Sequence, residues 1–102
     1  MSDKTYLNID EKELIKDLQL GVVEILFEKK DGSNRLMRCT LQSSFFKKPY
    51  LSEEERINHA NALALNEADP TKVRVLHVWD VDVGDWRSFR VNRVLSAQMA
   101  AG

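Results

Sequence analysis

Five short runs of β-forming residues, and two stretches whose apolar residues recur at helical spacing, divide this chain. Residues 10–19 predict a helix. Asp10 stands at the N-cap, Glu13 follows three residues later as in a capping box, and Ile9 and Leu14 flank the cap as a hydrophobic staple. Leu14, Ile15 and Leu18 form one apolar stripe, and Gly21 supplies the stop. Residues 22–28 and 35–41 then predict two strands. Lys29, Lys30, Asp31, Gly32 and Ser33 lie between them, and Asp-Gly offers the positive φ that a tight hairpin needs. Val23, Ile25 and Phe27 share one face, with Met37, Cys39 and Leu41 as the matching set, while Leu26 and Leu36 point the other way.

Residues 43–72 break the strand pattern. Residues 43–50 read as a loop closed by Pro49. A second helix starts at Ser52, with Glu55 in the capping-box position and three successive acids at its positive end. Its stripe of Ile57, Ala60, Leu63 and Ala64 is weakly apolar, which predicts a surface helix; Asn66 and the Asp69-Pro70 pair end it. Strands return at 73–79, 86–91 and 94–97. The turn between the first two spans residues 82–85 with Gly84, a tight bend at Asn92 and Arg93 precedes the last, and the tail from Met99 has little to hold it. The reading is one mainly β domain over 1–102 with two short helices. Five strands with one apolar set close most economically into a small SH3-like or Sm-like barrel, which removes exposed edges. A helix in residues 1–20 precedes this barrel, and a loop and helical insertion at 43–72 separates its second and third strands.

Composition narrows the class. The chain has 102 residues, 43% of them hydrophobic and 30% charged, enough for one core. No apolar run is long enough to span a bilayer, and the residues from Met1 to Thr5 lack the layout of a signal peptide, so a cytoplasmic location without membrane association is expected. A lone cysteine, Cys39, agrees with a reducing compartment. The net charge of −1 hides an uneven distribution: the strand-forming stretches 21–51 and 73–102 are net basic, and the helical stretches 1–20 and 52–72 net acidic. A face that attracts anions is one consequence; mutual neutralisation on folding is the other.

The segment running from Leu76 to Val94 resembles the closing half of a WYL domain. A strand ends at an Asp, Gly84-Asp85-Trp86 forms a turn, and Arg87-Ser88-Phe89-Arg90-Val91-Asn92-Arg93-Val94 follows as the next strand. The hairpin from Lys29 to Leu41 is similar to the first hairpin of short WYL-like proteins of tailed bacteriophages. The resemblance implies an Sm-like SH3 barrel with a ligand-sensing or nucleic-acid-linked regulatory role, in which Arg87, Arg90 and Arg93 match basic residues of an anionic-ligand surface. The Trp-Tyr-Leu tripeptide itself is replaced by Arg74-Val75-Leu76, the family's Asp before the final Arg is Asn92, and no helix-turn-helix module precedes the barrel.

The arginines are therefore the leading candidate site. Arg87, Arg90 and Arg93, with Lys47 and Lys48 from the loop, could grip phosphates while Trp86 stacks on a base. Pairing with the acidic helices, or merely solvating the barrel, is the competing reading, since nucleic-acid binders usually carry a basic domain charge. Asp80, Asp82, Gly84 and Asp85 suggest a calcium loop, but the glycine falls one position early and Val91 stands where the bidentate Glu belongs, so a solvated turn is expected. Cys39, His59 and His77 are too few and scattered for zinc; Cys39 is expected in the core and His77 as a packed or rim residue. With neither a nucleophile elbow nor a phosphate loop, the expectation is a non-enzymatic binding module without cofactor or metal. Its expected partner is nucleic acid or a nucleic-acid-handling host protein. A protein adaptor using the barrel edge or the acidic helix around Glu53, Glu54 and Glu55 is the alternative, and homo-oligomers joined edge to edge are open to such a barrel.

Overall fold

The computed structural model describes residues 5–100; Met1–Lys4, on which most of the signal-peptide reading rests, and Ala101–Gly102 lie outside the described residues. The elements are α1 (Glu11–Leu20), β1 (Val23–Glu28), β2 (Asn34–Thr40), α2 (Glu53–Ala64), β3 (Val75–Asp80), β4 (Asp85–Arg90) and β5 (Val94–Met99), with single 3-10 turns at Ser43–Phe45, Pro70–Lys72 and Val91–Arg93. The strands form one sheet of order β4-β3-β2-β1-β5, every neighbouring pair antiparallel.

Two irregularities bend this sheet into a small Sm-like barrel. The register of β1 against β5 shifts between Leu26 and Phe27. β2 meets β3 only through Cys39↔Asp80 and Thr40↔Trp79, so its amino-terminal half is free to splay from β3. The enclosed core joins Val23, Ile25 and Phe27 to Met37, Cys39, Leu76, Val78, Phe89 and Val94, and Leu14 and Leu18 of α1 pack into it. The predicted hairpin faces are thus the observed ones, although Leu41 is only partly buried. Burial pushes the Cys39 thiol up to about 12, with Asp80 adding to it, so this sulfur is an inert core group.

Local signals place the elements. Asp10 caps α1 by accepting the Lys12 N–H at 3.0 Å. Among the described residues Glu13 makes no return bond to the cap, because the short Asp10 carboxylate reaches Lys12 while Glu13 stays in solvent. The full reciprocal box appears instead on α2, between Ser52 and Glu55. In the hairpin, Gly32 adopts φ +88° and the Lys29 N–H donates to the Ser33 carbonyl at 2.7 Å. Open space surrounds the position of a Cβ there. Gly32→Ala should therefore cost about 1–2 kcal/mol through backbone strain alone, read as a lower urea midpoint with unchanged slope.

Two expectations are corrected. The described part of the tail is paired: β5 continues to Met99, opposite Val23, and the Ala100 N–H donates to the Val22 carbonyl at 2.9 Å, because β1 offers a long free edge there. Asp80 is not part of a solvated turn. It is 1% exposed, accepts the N–H groups of Asp82 and Val83, and pairs with Arg35 at 2.8 Å. The turn needs two backbone donors satisfied, and a buried carboxylate with a guanidinium partner does this.

The insertion covers the outer face of the β3–β4 hairpin in two different ways. Residues before α2 build a second core, where Leu51 and Phe46 pack on Trp79, Trp86 and Val81. α2 itself, as its weak stripe predicts, lies on the surface: none of its 12 residues is buried, and Ile57 is half exposed. Among the described residues, no helix is long and apolar enough to cross a membrane.

Candidate functional site

Between the β1–β2 hairpin and β4 lies a groove of about 250 Å³. Its floor is apolar: Phe27, Met37 and Phe89 line it, with the two phenyl rings 5.6 Å apart. Cations surround that floor. Lys29 and Lys30 come from the hairpin turn, Arg35 from the start of β2, and Arg87 and Arg90 from β4, with Glu28 the lone acid in the lining. Leu63 of α2 closes one side. A hollow of about 240 Å³ adjoins it under α2, sharing Leu63, Arg87 and Ser88 and adding His59, Ala62 and Trp86. β4 thus runs beneath α2 as a continuous track.

The cations differ in freedom. Arg87 is the most open of the arginines here, with 42% of its side chain exposed; it donates to the Trp86 carbonyl at 3.0 Å and stands 4.0 Å from Asp85. Arg35 is tied to Asp80. Lys30 donates to the carbonyls of Ala62, at 3.2 Å, and Leu65, placing an ammonium at the negative end of α2. Lys29 is exposed.

Arg90, at the end of β4, and Arg93, in the turn that follows it, converge, but on a carboxylate of the chain itself. Glu67 lies 3.2 Å from Arg90 and 3.0 Å from Arg93. Arg90, 5% exposed, also donates to the Glu28 carbonyl at 3.2 Å. Arg93 reaches the Glu28 carboxylate at 3.8 Å and stacks on Tyr6, 5.4 Å from the ring centre. The Arg93 hydrogen bond and the two guanidinium charges hold the Glu67 carboxyl below the usual glutamate range.

The six residues singled out in the sequence therefore separate. Arg90 and Arg93 form the internal ion cluster rather than an open phosphate grip, because the segment after α2 delivers Glu67 onto them. Trp86 is 4% exposed, its Nε1–H donates to the Pro49 carbonyl at 2.8 Å, and Trp79, Phe46 and Tyr50 surround its ring edge-on, so no face is left for a base. Lys48 and Arg87 share Asp85, at 3.4 and 4.0 Å. Lys47 is an exposed loop residue. Only Arg87 and Arg90 line the groove. Lys29, Lys30 and Arg35 escape linear reading: a basic pair beside a turn is an ordinary solvated tip until the barrel folds that tip toward β4.

A second polar cluster fastens α2 to the sheet. His59 on α2 and His77 on β3 direct their Nδ1 atoms at the Ser88 hydroxyl, at 3.0 and 2.7 Å, with ring centres 6.2 Å apart. Burial, then the neighbouring His59 and Arg56, pushes the His77 pKa down. Among the described residues, no group of three or more His, Cys, Asp or Glu side chains could hold a metal ion.

Comparison with known proteins fits this architecture. Residues 11–95 match the family WYL_2, described as an Sm-like SH3 β-barrel fold. The chain is also similar, at 28% identity over 89 residues, to an uncharacterized 11.5 kDa protein in the Gp31-cd intergenic region of enterobacteria phage T4. That alignment covers 83% of this chain and 74% of the phage protein. No solved structure matches. The matched span runs from the start of α1 to the first two residues of β5, and over it the strands curl as that description requires; the chain belongs to the WYL_2 family.

Proposed function

We propose that this protein is a non-enzymatic, phage-type regulatory module that docks on nucleic acid in the host cytoplasm through the groove beside β4. One observation carries the reading: an apolar floor large enough for a small planar group is bordered by Lys29, Lys30 and Arg87, with Arg35 and Arg90 also in the lining but held by Asp80 and Glu67. Such a pairing suits a base with its phosphates, the floor taking the ring and the cations the backbone charge. The similarity to a phage protein supports the setting.

Electrophoretic titration of DNA and RNA at about 50 and 200 mM salt tests it, since phosphate contacts make affinity fall steeply with salt. Arg87→Ala should weaken binding to all sequences and lower the salt slope by about one. Half-buried and without a buried ion pair, Arg87 can be removed at a cost of about 0.5–1 kcal/mol, whereas the removal of Arg90 costs more. Absence of binding at low salt overturns the reading in favour of a protein partner. The exposed Glu53 and Glu54 and the half-exposed Ile57 on α2 favour that alternative, and a pull-down with nuclease-treated and untreated host extract would identify the partner.

A further inference from the structure

We infer that α2 is a removable cover over the β4 track, held by polar latches and released when His77 takes up a proton. As a device that regulates the groove, it rests on the docking role proposed above; as a motion of the helix, it is measurable without any ligand.

The first observation is what α2 lacks. A 12-residue helix with no buried side chain has little apolar area holding it down. Its attachments are polar instead: Lys30 to the carbonyls of Ala62 and Leu65, His59 to Ser88, and, just beyond the helix, Glu67 to Arg90 and Arg93. The second observation is what lies beneath. The groove and the adjoining hollow share Leu63, Arg87 and Ser88, so Leu63 stands as a bar across one longer channel. Lifting α2 would join the two spaces and uncover Arg87, Ser88 and Arg90 together.

The histidine latch gives the motion a trigger. One hydroxyl serves two imidazoles. With both rings neutral, Ser88 donates to one Nδ1 and accepts from the other, so the triad is satisfied. A proton on each ring sets two cations 6.2 Å apart between α2 and β3. The surrounding charges divide. Burial, then His59 and Arg56 on α2, opposes protonation of His77, while Glu55 on the first turn of α2 carries the opposite charge. On β4, Arg87 lines the same hollow as His59 and adds positive charge, and Asp85 beside it is shared with Lys48. The sign follows. Docked, His77 resists protonation; released, it titrates near its ordinary 6.5. Docking is therefore unaffected above that value and weakens as pH falls below it.

Amide hydrogen exchange on the intact chain, without nucleic acid, decides the matter. After correction for intrinsic rates, moving from pH 7.5 to 5.5 should speed exchange of residues 53–64 by about three- to tenfold, the upper figure being the limit for one proton. Amides of β1 and β2 should keep their protection, and His77→Gln should flatten the pH response. Exchange in 53–64 that ignores pH, that rises together with β1 and β2, or that responds equally in His77→Gln would overturn the inference. A helix that opens in a protein that binds no nucleic acid would sink the docking role alone.

Discussion

Glu67→Gln is expected to lower unfolding free energy by about 2–3 kcal/mol, the range for losing charged hydrogen bonds that are mostly sheltered from water. The carboxylate is the common partner of two arginines, one of them 5% exposed. Without it Arg90 retains the Glu28 carbonyl, and Arg93 retains the Glu28 carboxylate and Tyr6, which is why the cost stays below that of an uncompensated buried charge. Against a typical domain stability of about 5–15 kcal/mol this is a large fraction. Acid adds a second readout. Because the folded protein holds the Glu67 carboxyl below its ordinary 4.5, its contribution is complete above that value and is lost as pH falls through the lowered one. Urea midpoints taken from pH 7 to 3 should fall for the wild type and run flatter for the glutamine variant. Equal stability at pH 7 would mean that the cluster contributes nothing net.

Trp86→Ala should cost about 3–5 kcal/mol, as large aromatic deletions from a packed site do. The indole fills the second core, and its removal frees the Pro49 carbonyl and leaves Phe46, Tyr50 and Trp79 around a void. Trp79 is then the sole remaining tryptophan, so its fluorescence reports the loosening of the 46–51 loop directly. The measurement also separates two roles. A base-stacking tryptophan would lose nucleic-acid affinity on substitution with stability little changed; the buried ring requires the reverse order, with stability lost first.

The local elements were legible because their causes are local. Asp10 and Gly21 bound α1, Asp31 and Gly32 make the hairpin, and Ser52 with Glu55 starts α2, each through backbone groups a few residues away. The alternation of Val23, Ile25 and Phe27 already named the core face, since side chains in a strand repeat every second residue. The likeness of residues 76–94 to WYL domains pointed to the barrel that the strand order completes.

What these cues could not convey is which charges end up beside which. Arg90 and Arg93 looked like an open pair because their nearest sequence neighbours are uncharged; Glu67, 23 and 26 positions earlier, reaches them only because the insertion folds back over β4. Trp86 beside its turn fits either a packing anchor or a ring that stacks on a base, and the earlier loop that carries Phe46 and Leu51 decides for packing. The turn lysines looked like a solvated tip, and the splaying of β2 from β3 made them one wall of a groove. Sequence by itself determined the strands, the helices and the sidedness of the core, because capping and alternation act over one to four residues. Only the tertiary structure decided which cations are neutralised and which face a cavity, because Coulomb energy and desolvation depend on distance through space, and chain order does not encode that distance.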